Sequence, residues 1–150
     1  MMLPKEFGYY IKKGVIKKIT PDKQKAEFLI SQAEISLSGL KERIKLIGVK
    51  ENNSSSIIKD CYDILMELTR AKLFLDGYSS LENFSHEAEI SYLKNFDFSE
   101  NEINFFNELR RNRNSVNYYG KMVDTVYTKK ITEFTSKLYP KLRKLTEKKK

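Results

Sequence analysis

The chain has 150 residues, of which 40% are hydrophobic and 32% are charged, and its formal net charge is +8. This is the composition of one ordinary globular domain, and six Gly, three Pro and one Cys exclude fibrous, disordered and disulfide-stapled classes. No stretch approaches the roughly 18 consecutive apolar residues of a membrane span, and lysines interrupt the N-terminal segment. We therefore expect a cytoplasmic protein that makes no contact with membranes.

The positive charge lies mainly at the two ends of the chain. Residues 1–25 total +5 and residues 137–150 total +6, whereas residues 26–136 total −3. A basic domain suggests a polyanion partner, because Lys and Arg that neutralise phosphates release counterions. Since lysine-rich ends alone generate this charge, evidence for nucleic-acid binding has to come from a local cluster.

Three segments divide the chain. Residues 1–21 form a basic and aromatic arm, expected as a short helix or turn-broken segment that packs on the domain through residues such as Phe7, Tyr10 and Ile16. Residues 22–146 carry the helical periodicity, and residues 147–150 form a basic tail that we expect to fray.

Two long helices open the helical domain. Thr20-Pro21 predicts the first helix start, and apolar residues at three- and four-residue steps continue to Gly48, which predicts its end. A polar loop over residues 52–56 precedes the second helix, which ends at Gly77. Cys61 lies on the broad apolar face of this helix, where a buried thiol is the usual role.

Three shorter helices follow. Ser85 can cap the first, and residues 99–102 (Ser-Glu-Asn-Glu) form a capping box that opens a helix running to Gly120. The last helix begins near Asp124, and Pro140 is expected to kink it or to end its regular part. Because no segment alternates as a strand does, the fold class is all-α, an up-and-down bundle of about five helices.

Several kinds of site are excluded by composition. The chain lacks a phosphate-binding glycine loop, and one His and one Cys are too few for zinc sites, so we expect neither a cofactor nor a metal. His86 stands at the start of a predicted helix. It is either a capping or loop-packing residue or, in the sharper interpretation, an acid/base group near pH 7.

Residues 105–120 carry the most informative pattern. At about 100° per residue, one side of this helix should face the core, namely Phe105, Leu109, Val116 and Tyr119. The side roughly opposite holds Arg110, Arg113, Asn114, Asn117 and Lys121. Guanidinium groups and amides suit phosphate and sugar or base edges, and Tyr118 or Tyr119 can stack on a base. In the alternative, Arg110 and Arg113 pair with acidic residues of adjacent helices.

Arg113-Asn114, followed by three residues and an aromatic, resembles the Arg-polar-x-x-x-His signature of HEPN domains. These are small α-helical bundles common in prokaryotic toxin–antitoxin and defence systems. The neighbouring sequences, Asp76-Gly77, Ser85-His86-Glu87 and the Tyr-Tyr-Gly that ends at Gly120, fit the same family. The chain is most similar to stand-alone archaeal HEPN-like proteins over roughly residues 26–145, which implies a HEPN-like bundle.

The resemblance implies a metal-independent ribonuclease site, formed across a homodimer and acting through the RNA 2′-hydroxyl. It assigns Arg113 as the catalytic arginine and Asn114 as the polar residue, and it places Tyr118 at the histidine position. A tyrosine pKa near 10, against about 6.5 for histidine, makes Tyr118 a poor proton shuttle at neutral pH. In a related subgroup a minimal nucleotidyltransferase modifies a nearby tyrosine with AMP, but that position here is Gly120.

Three functions follow as expectations. The first is an RNA- or partner-binding homodimer with a degenerate ribonuclease site, in which RNA contacts Arg110, Arg113, Asn117, Tyr119 and Lys121. The second is an active metal-independent ribonuclease toxin that uses Arg113 with Tyr118 or His86. The third is a scaffold or partner of a minimal nucleotidyltransferase.

Overall fold

The computed structural model describes residues 3–80, 85–119 and 124–147, with the side chains of residues 85 and 114–119 left out. The elements, in chain order, are α1 (Phe7–Lys12), β1 (Ile16–Lys18), α2 (Lys23–Ile47), α3 (Glu51–Asp76), β2 (Tyr78–Ser80), α4 (Ser85–Ser91), a 3₁₀ turn (Tyr92–Asn95), α5 (Glu100–Tyr119) and α6 (Thr125–Leu145). At 78% helix, the expected all-α composition is confirmed. Within the described ranges there are six α-helices, because the arm supplies α1, and a small sheet that the sequence did not predict.

Helix α3 is the central helix, and it packs against α2, α4, α5 and α6. Apolar residues cover most of its circumference, which is the pattern of a helix buried on several sides. The fully buried ones include Ile58, Cys61, Ile64, Leu65, Leu68 and Ala71. The predicted burial of Cys61 is therefore confirmed, and burial raises the pKa of its thiol to about 11.

Helix α2 begins slightly later than predicted. Its cap is Asp22, whose side chain accepts the Lys25 N–H at 3.0 Å, so the Thr20-Pro21 start was wrong. The Asp22 carboxylate thus satisfies one of the backbone N–H groups of the first turn, which have no partner within the helix. Gly48 ends the helix as expected, with φ +84°, and Ala33 and Leu40 bury one side of α2 in the core.

Helix α3 starts at Glu51, so the predicted loop over residues 52–56 belongs to its first turns. The polar residues there bond to backbone at the helix start. Asn53 Oδ1 accepts the Lys50 N–H at 2.8 Å, and Asn53 Nδ2 donates to the Gly48 carbonyl at 2.9 Å. Side chains that suggest a loop in sequence therefore act as caps of a helix.

A short antiparallel pairing holds the arm in place. Strand β1 pairs with β2, with Lys17 opposite Ser79. Three-residue strands are too short to show alternation in the sequence. The arm also buries Phe7, Tyr10 and Ile16 in a second apolar cluster at the end of α3.

Helices α5 and α6 begin as predicted. Ser99 N–H donates to Glu102 Oε1 at 2.9 Å and Glu102 N–H donates to Ser99 Oγ at 3.1 Å, which confirms the capping box. The Asp124 carboxylate accepts the Tyr127 N–H at 2.7 Å. Helix α6 continues past Pro140 to Leu145, so the proline does not end it. Pro140 is exposed, and water can bond the backbone carbonyl that lacks an N–H partner there.

Candidate functional site: an arginine–histidine cluster on α3, α4 and α5

Helix α5 contains most of the predicted site residues. The described side chains among them are Arg110 and Arg113. The backbone of Asn114, Asn117, Tyr118 and Tyr119 is helical, but their side chains lie outside the described part of the structure, as does all of Lys121. The stacking and amide contacts expected of these residues therefore stay predictions.

The two arginines lie beside the buried side of α5 rather than opposite it. Leu109 and Phe106 are fully buried, and Phe105, which the sequence placed in the core, is partly buried against Phe134. Arg113 follows Phe106 by seven residues and so lies on the same side of the helix. Both Arg110 and Arg113 are partly buried. The prediction that Arg110 and Arg113 lie opposite the core was wrong, because Phe106 as well as Phe105 packs into the core.

Arg113 is held by two consecutive residues of α3. Its Nη2 lies 3.3 Å from Asp63 Oδ1, and its Cζ lies 5.5 Å from the centroid of the Tyr62 ring. The Arg113 Nε is buried and has no hydrogen-bond partner among the described residues. The alternative expectation, an ion pair with an adjacent helix, is confirmed for Arg113.

Tyr62 also contacts the chain's one histidine, which α4 supplies. The rings of Tyr62 and His86 stack with centroids 5.7 Å apart, and Tyr62 Oη lies 2.8 Å from His86 Nδ1. On the other side of the imidazole, Arg70 Nη2 lies 3.0 Å from Nε2. A guanidinium only donates, so Nε2 accepts, and a neutral imidazole then donates its Nδ1–H to Tyr62. Both ring nitrogens are engaged.

The electrostatic environment keeps His86 neutral. Burial first, and then the charges of Arg70, Arg113 and Arg110, lower the pKa of His86 from 6.5 to about 4. Burial likewise raises the pKa of the Tyr62 hydroxyl far above its ordinary value. At neutral pH the pair is therefore an uncharged hydrogen-bonded unit surrounded by cations.

A buried ion pair anchors Arg70. Its Nε donates to Glu89 Oε2 at 2.9 Å, and Ser80 Oγ donates to the same oxygen at 3.0 Å. The Glu89 side chain is 2% exposed and that of Arg70 is 33% exposed. A cavity of about 300 Å³ opens beside this pair and is lined in part by Tyr78 and Ser79.

Arg110 differs from the other two arginines of the cluster. Its Nε donates to Asn107 Oδ1 at 2.9 Å, whereas no carboxylate in the described ranges lies within ion-pair distance of its guanidinium. The charges of Arg70 and Arg113 are offset by Glu89 and Asp63. Arg110 is therefore the cation of the three best placed to take an external anion.

Sequence reasoning missed Tyr62, Asp63, Arg70 and Glu89. A signal for part of this set exists, because Asp63 and Arg70 carry opposite charges seven residues apart and so lie on the same side of the predicted helix. The pairing of Arg70 with Glu89 has no such signal, since it depends on how α4 docks on α3.

Metal-ligand clusters and membrane-spanning helices are both absent from the described residues. No group of three His, Cys, Asp or Glu side chains there could hold a metal ion. No helix in the described ranges is long and apolar enough to cross a membrane. Comparisons of the chain with protein-family models, with curated proteins and with solved structures found no match.

Proposed function

We propose that this protein binds RNA through the arginine side of α5, as a HEPN-like homodimer with a degenerate ribonuclease site. Arg110 and Arg113 contact phosphates, and Asn117, Tyr119 and Lys121 are the further RNA contacts expected from the sequence. The observation that carries the proposal is the contact of two guanidinium groups, those of Arg70 and Arg113, with the Tyr62–His86 unit, beside an Arg110 that forms no ion pair with a described carboxylate.

A phosphodiester can compete for Arg113 at modest cost. The Asp63 side chain is 53% exposed, and ion pairs with an exposed partner contribute little to stability. The Tyr62 ring still supports the guanidinium when its carboxylate partner changes, because the cation–π contact involves a different part of the group. A guanidinium held in this way presents its donors to two phosphate oxygens.

The geometry supports binding over cleavage. A general base needs a free lone pair, and the Nε2 lone pair of His86 accepts from Arg70. A general acid needs a proton near pH 7, and a pKa of about 4 leaves the imidazole unprotonated. His86 therefore serves the cluster as a neutral, positioned ring.

A second candidate is a metal-independent ribonuclease that uses Arg113 with His86. One observation favours it: the Tyr62 ring contacts both residues, so the predicted arginine and the chain's one histidine share a neighbour. If Arg70 leaves Nε2, the neutral imidazole can accept the proton of a 2′-hydroxyl as that oxygen attacks the adjacent phosphorus. The bond between phosphorus and the 5′-oxygen then breaks, and the leaving oxygen takes the proton from the imidazolium. One product carries a 2′,3′-cyclic phosphate end and the other a 5′-hydroxyl.

One experiment tests both candidates. Fluorescence anisotropy with a labelled single-stranded RNA of about 20 nucleotides, in low salt with EDTA, should show binding that Arg110→Ala and Arg113→Ala each weaken by about tenfold. Arg43→Ala is the matched control. It removes the same charge from an ion pair with Asp60 between α2 and α3, and it should change affinity by less than about twofold.

The same samples are then analysed for cleavage. Intact RNA bound by wild-type protein supports the binding function. Cyclic-phosphate products that Arg113→Ala and His86→Ala both abolish support the ribonuclease instead. Wild-type protein that neither binds nor cleaves RNA contradicts both candidates.

A further inference from the structure

Helix α2 has an apolar stripe on its outer side. Its four exposed large hydrophobic residues are Phe28, Ile35, Leu46 and Ile47, with exposed fractions of 63%, 66%, 74% and 55%. At about 100° per residue, the first three lie along one line on the helix, together with Gly39. Ala33 and Leu40, which pack into the core, lie on the opposite side. The stripe therefore faces away from the rest of the bundle.

We propose that this stripe binds the same stripe on a second copy of the chain, with the two α2 helices antiparallel. This inference rests on the homodimer of the proposed function, gives it an interface on α2, and leaves one arginine–histidine cluster in each copy. In a two-fold interface, if residue i of one copy meets residue j of the other, then j also meets i. A two-fold axis between Ile35 and Gly39 pairs those residues with each other and pairs Phe28 with Leu46. One register thus matches all four positions of the stripe.

Gly39 accounts for the close approach at the centre of this interface. A Cβ at Gly39 would meet nothing within 4 Å in a single copy, so neither a local contact nor its backbone conformation within α2 requires glycine there. Opposite Ile35 of the second copy, the missing side chain lets the isoleucine pack directly on the helix backbone. The glycine is explained by the pairing and not by the monomer.

A hollow beside Phe28 fits the remaining exposed residue. It has a volume of about 460 Å³ and is lined by Gln24, Lys25, Phe28, Leu29 and Phe74. Leu29 and Ile47 lie on the same side of the stripe, and the two-fold arrangement keeps that side together in both copies. Ile47 of the second copy therefore lies next to Leu29 and the hollow. There the exposed Ile47 side chain can pack against an apolar surface.

The charges on the other side of the stripe favour the same orientation. In this register Glu27 faces Lys45 of the second copy, and Glu34 faces Lys41. All four side chains are exposed. A parallel two-fold pairing would instead place this charged side of one copy against the side of the other that holds Ile47, so neither of these charge pairs would form.

The in-chain partners of the two glutamates do not prevent these contacts. Glu27 pairs with Lys23 at 3.9 Å and Glu34 pairs with Arg143 at 3.0 Å, and both glutamates are more than half exposed. Exposed pairs of this kind contribute little, so the carboxylates can exchange partners or share them. We therefore propose a second copy as the partner of this surface, because the charges of α2 complement those of an antiparallel α2.

Sedimentation velocity on the full chain tests the interface, and the result does not depend on RNA binding. Wild-type protein should be dimeric at roughly 100 µM, and Ile35→Glu should weaken the dimer by more than about tenfold. Val126→Glu, at a 64% exposed position on α6, is the matched control and should leave the dimer intact. A monomeric wild-type protein, or an Ile35→Glu variant that stays dimeric, overturns the proposal.

Two further sets of variants test the antiparallel register. All of them change exposed residues of α2, so each variant should fold as the wild type does. Glu27→Lys and Lys45→Glu should each weaken the dimer, and the double variant should recover most of the wild-type affinity. Oxidation should crosslink the Phe28→Cys/Leu46→Cys double variant, but not either single variant, whose thiols are about 27 Å apart along the helix. Crosslinking of a single variant, or failure of the double variant to crosslink, contradicts this register.

Discussion

Arg113 and Tyr62 meet where α5 packs on α3, with the guanidinium Cζ 5.5 Å from the centroid of the phenol ring. Tyr62 also contacts His86. The two rings stack, and Nδ1 of His86 lies 2.8 Å from the Tyr62 hydroxyl. A buried tyrosine thus fixes the positions of an arginine and a histidine that lie on different helices.

Tyr62→Phe separates the role of the hydroxyl from that of the ring. Phenylalanine keeps the stacking on His86 and the contact with Arg113 but removes the acceptor for the Nδ1–H. We expect the free energy of unfolding to fall by about 1 kcal/mol for Tyr62→Phe and by about 2–4 kcal/mol for Tyr62→Ala, which also leaves a cavity. Urea unfolding measures both, and equal losses would mean that the ring contacts contribute nothing.

The neutral state of His86 predicts a specific dependence of stability on pH. Its pKa in the folded protein is about 4, below the ordinary 6.5, so between these values the unfolded chain binds a proton that the folded protein does not. The contribution of His86 to stability is therefore complete above about pH 6.5 and falls as the pH is lowered to about 4. His86→Gln should flatten this part of the stability profile, measured by urea unfolding at a series of pH values. An unchanged profile would show that other groups cause the loss.

The buried pair of Arg70 and Glu89 should matter more than an exposed pair of the same type. Glu89→Gln leaves the Arg70 charge partly buried without a carboxylate, and we expect a loss of about 2–3 kcal/mol. Asp60→Asn breaks the exposed pair with Arg43 and should cost less than about 1 kcal/mol. The comparison is made by chemical denaturation, and a difference below about 0.5 kcal/mol would argue against the buried pair as an anchor of α4.

Gly77 is required by both its conformation and its surroundings. It has φ +84°, and a Cβ there would lie 2.8 Å from the carbonyl oxygen of Ile19. Gly14 has φ +74° and open space around it, so it reports the conformational cost alone. We expect Gly14→Ala to cost about 1 kcal/mol and Gly77→Ala to cost at least about 2 kcal/mol more, because backbone must shift. Similar thermal midpoints for the two variants would show that the arm detaches freely from the end of α3.

The sequence predicts helix ends well where the chemistry is local. Gly48 and the capping box of Ser99 and Glu102 act through neighbouring backbone groups, so a short stretch of sequence contains all the information. The α2 start shows the limit, since Thr20-Pro21 and Asp22 are competing caps and only the folded backbone selects the second.

The site depends on contacts that a linear pattern does not contain. Phe105 and Phe106 differ by one position, yet which of them enters the core decides whether Arg113 faces solvent or α3. The ion pair of Arg113 with Asp63 joins residues fifty positions apart, as the β1–β2 pairing joins residues farther apart still. Helix identity follows from periodicity, whereas the rotation of each helix follows from packing.

The salt dependence of RNA affinity tests the central claim most directly. The logarithm of the association constant should fall linearly with the logarithm of salt concentration, and Arg110→Ala and Arg113→Ala should each reduce the slope by about one phosphate contact. Arg43→Ala should give a line parallel to that of the wild type, because Arg43 pairs with Asp60 between α2 and α3 and lies outside the proposed RNA surface. If both α5 variants keep the wild-type slope, the arginine side of α5 does not contact RNA phosphates and the proposed function is contradicted.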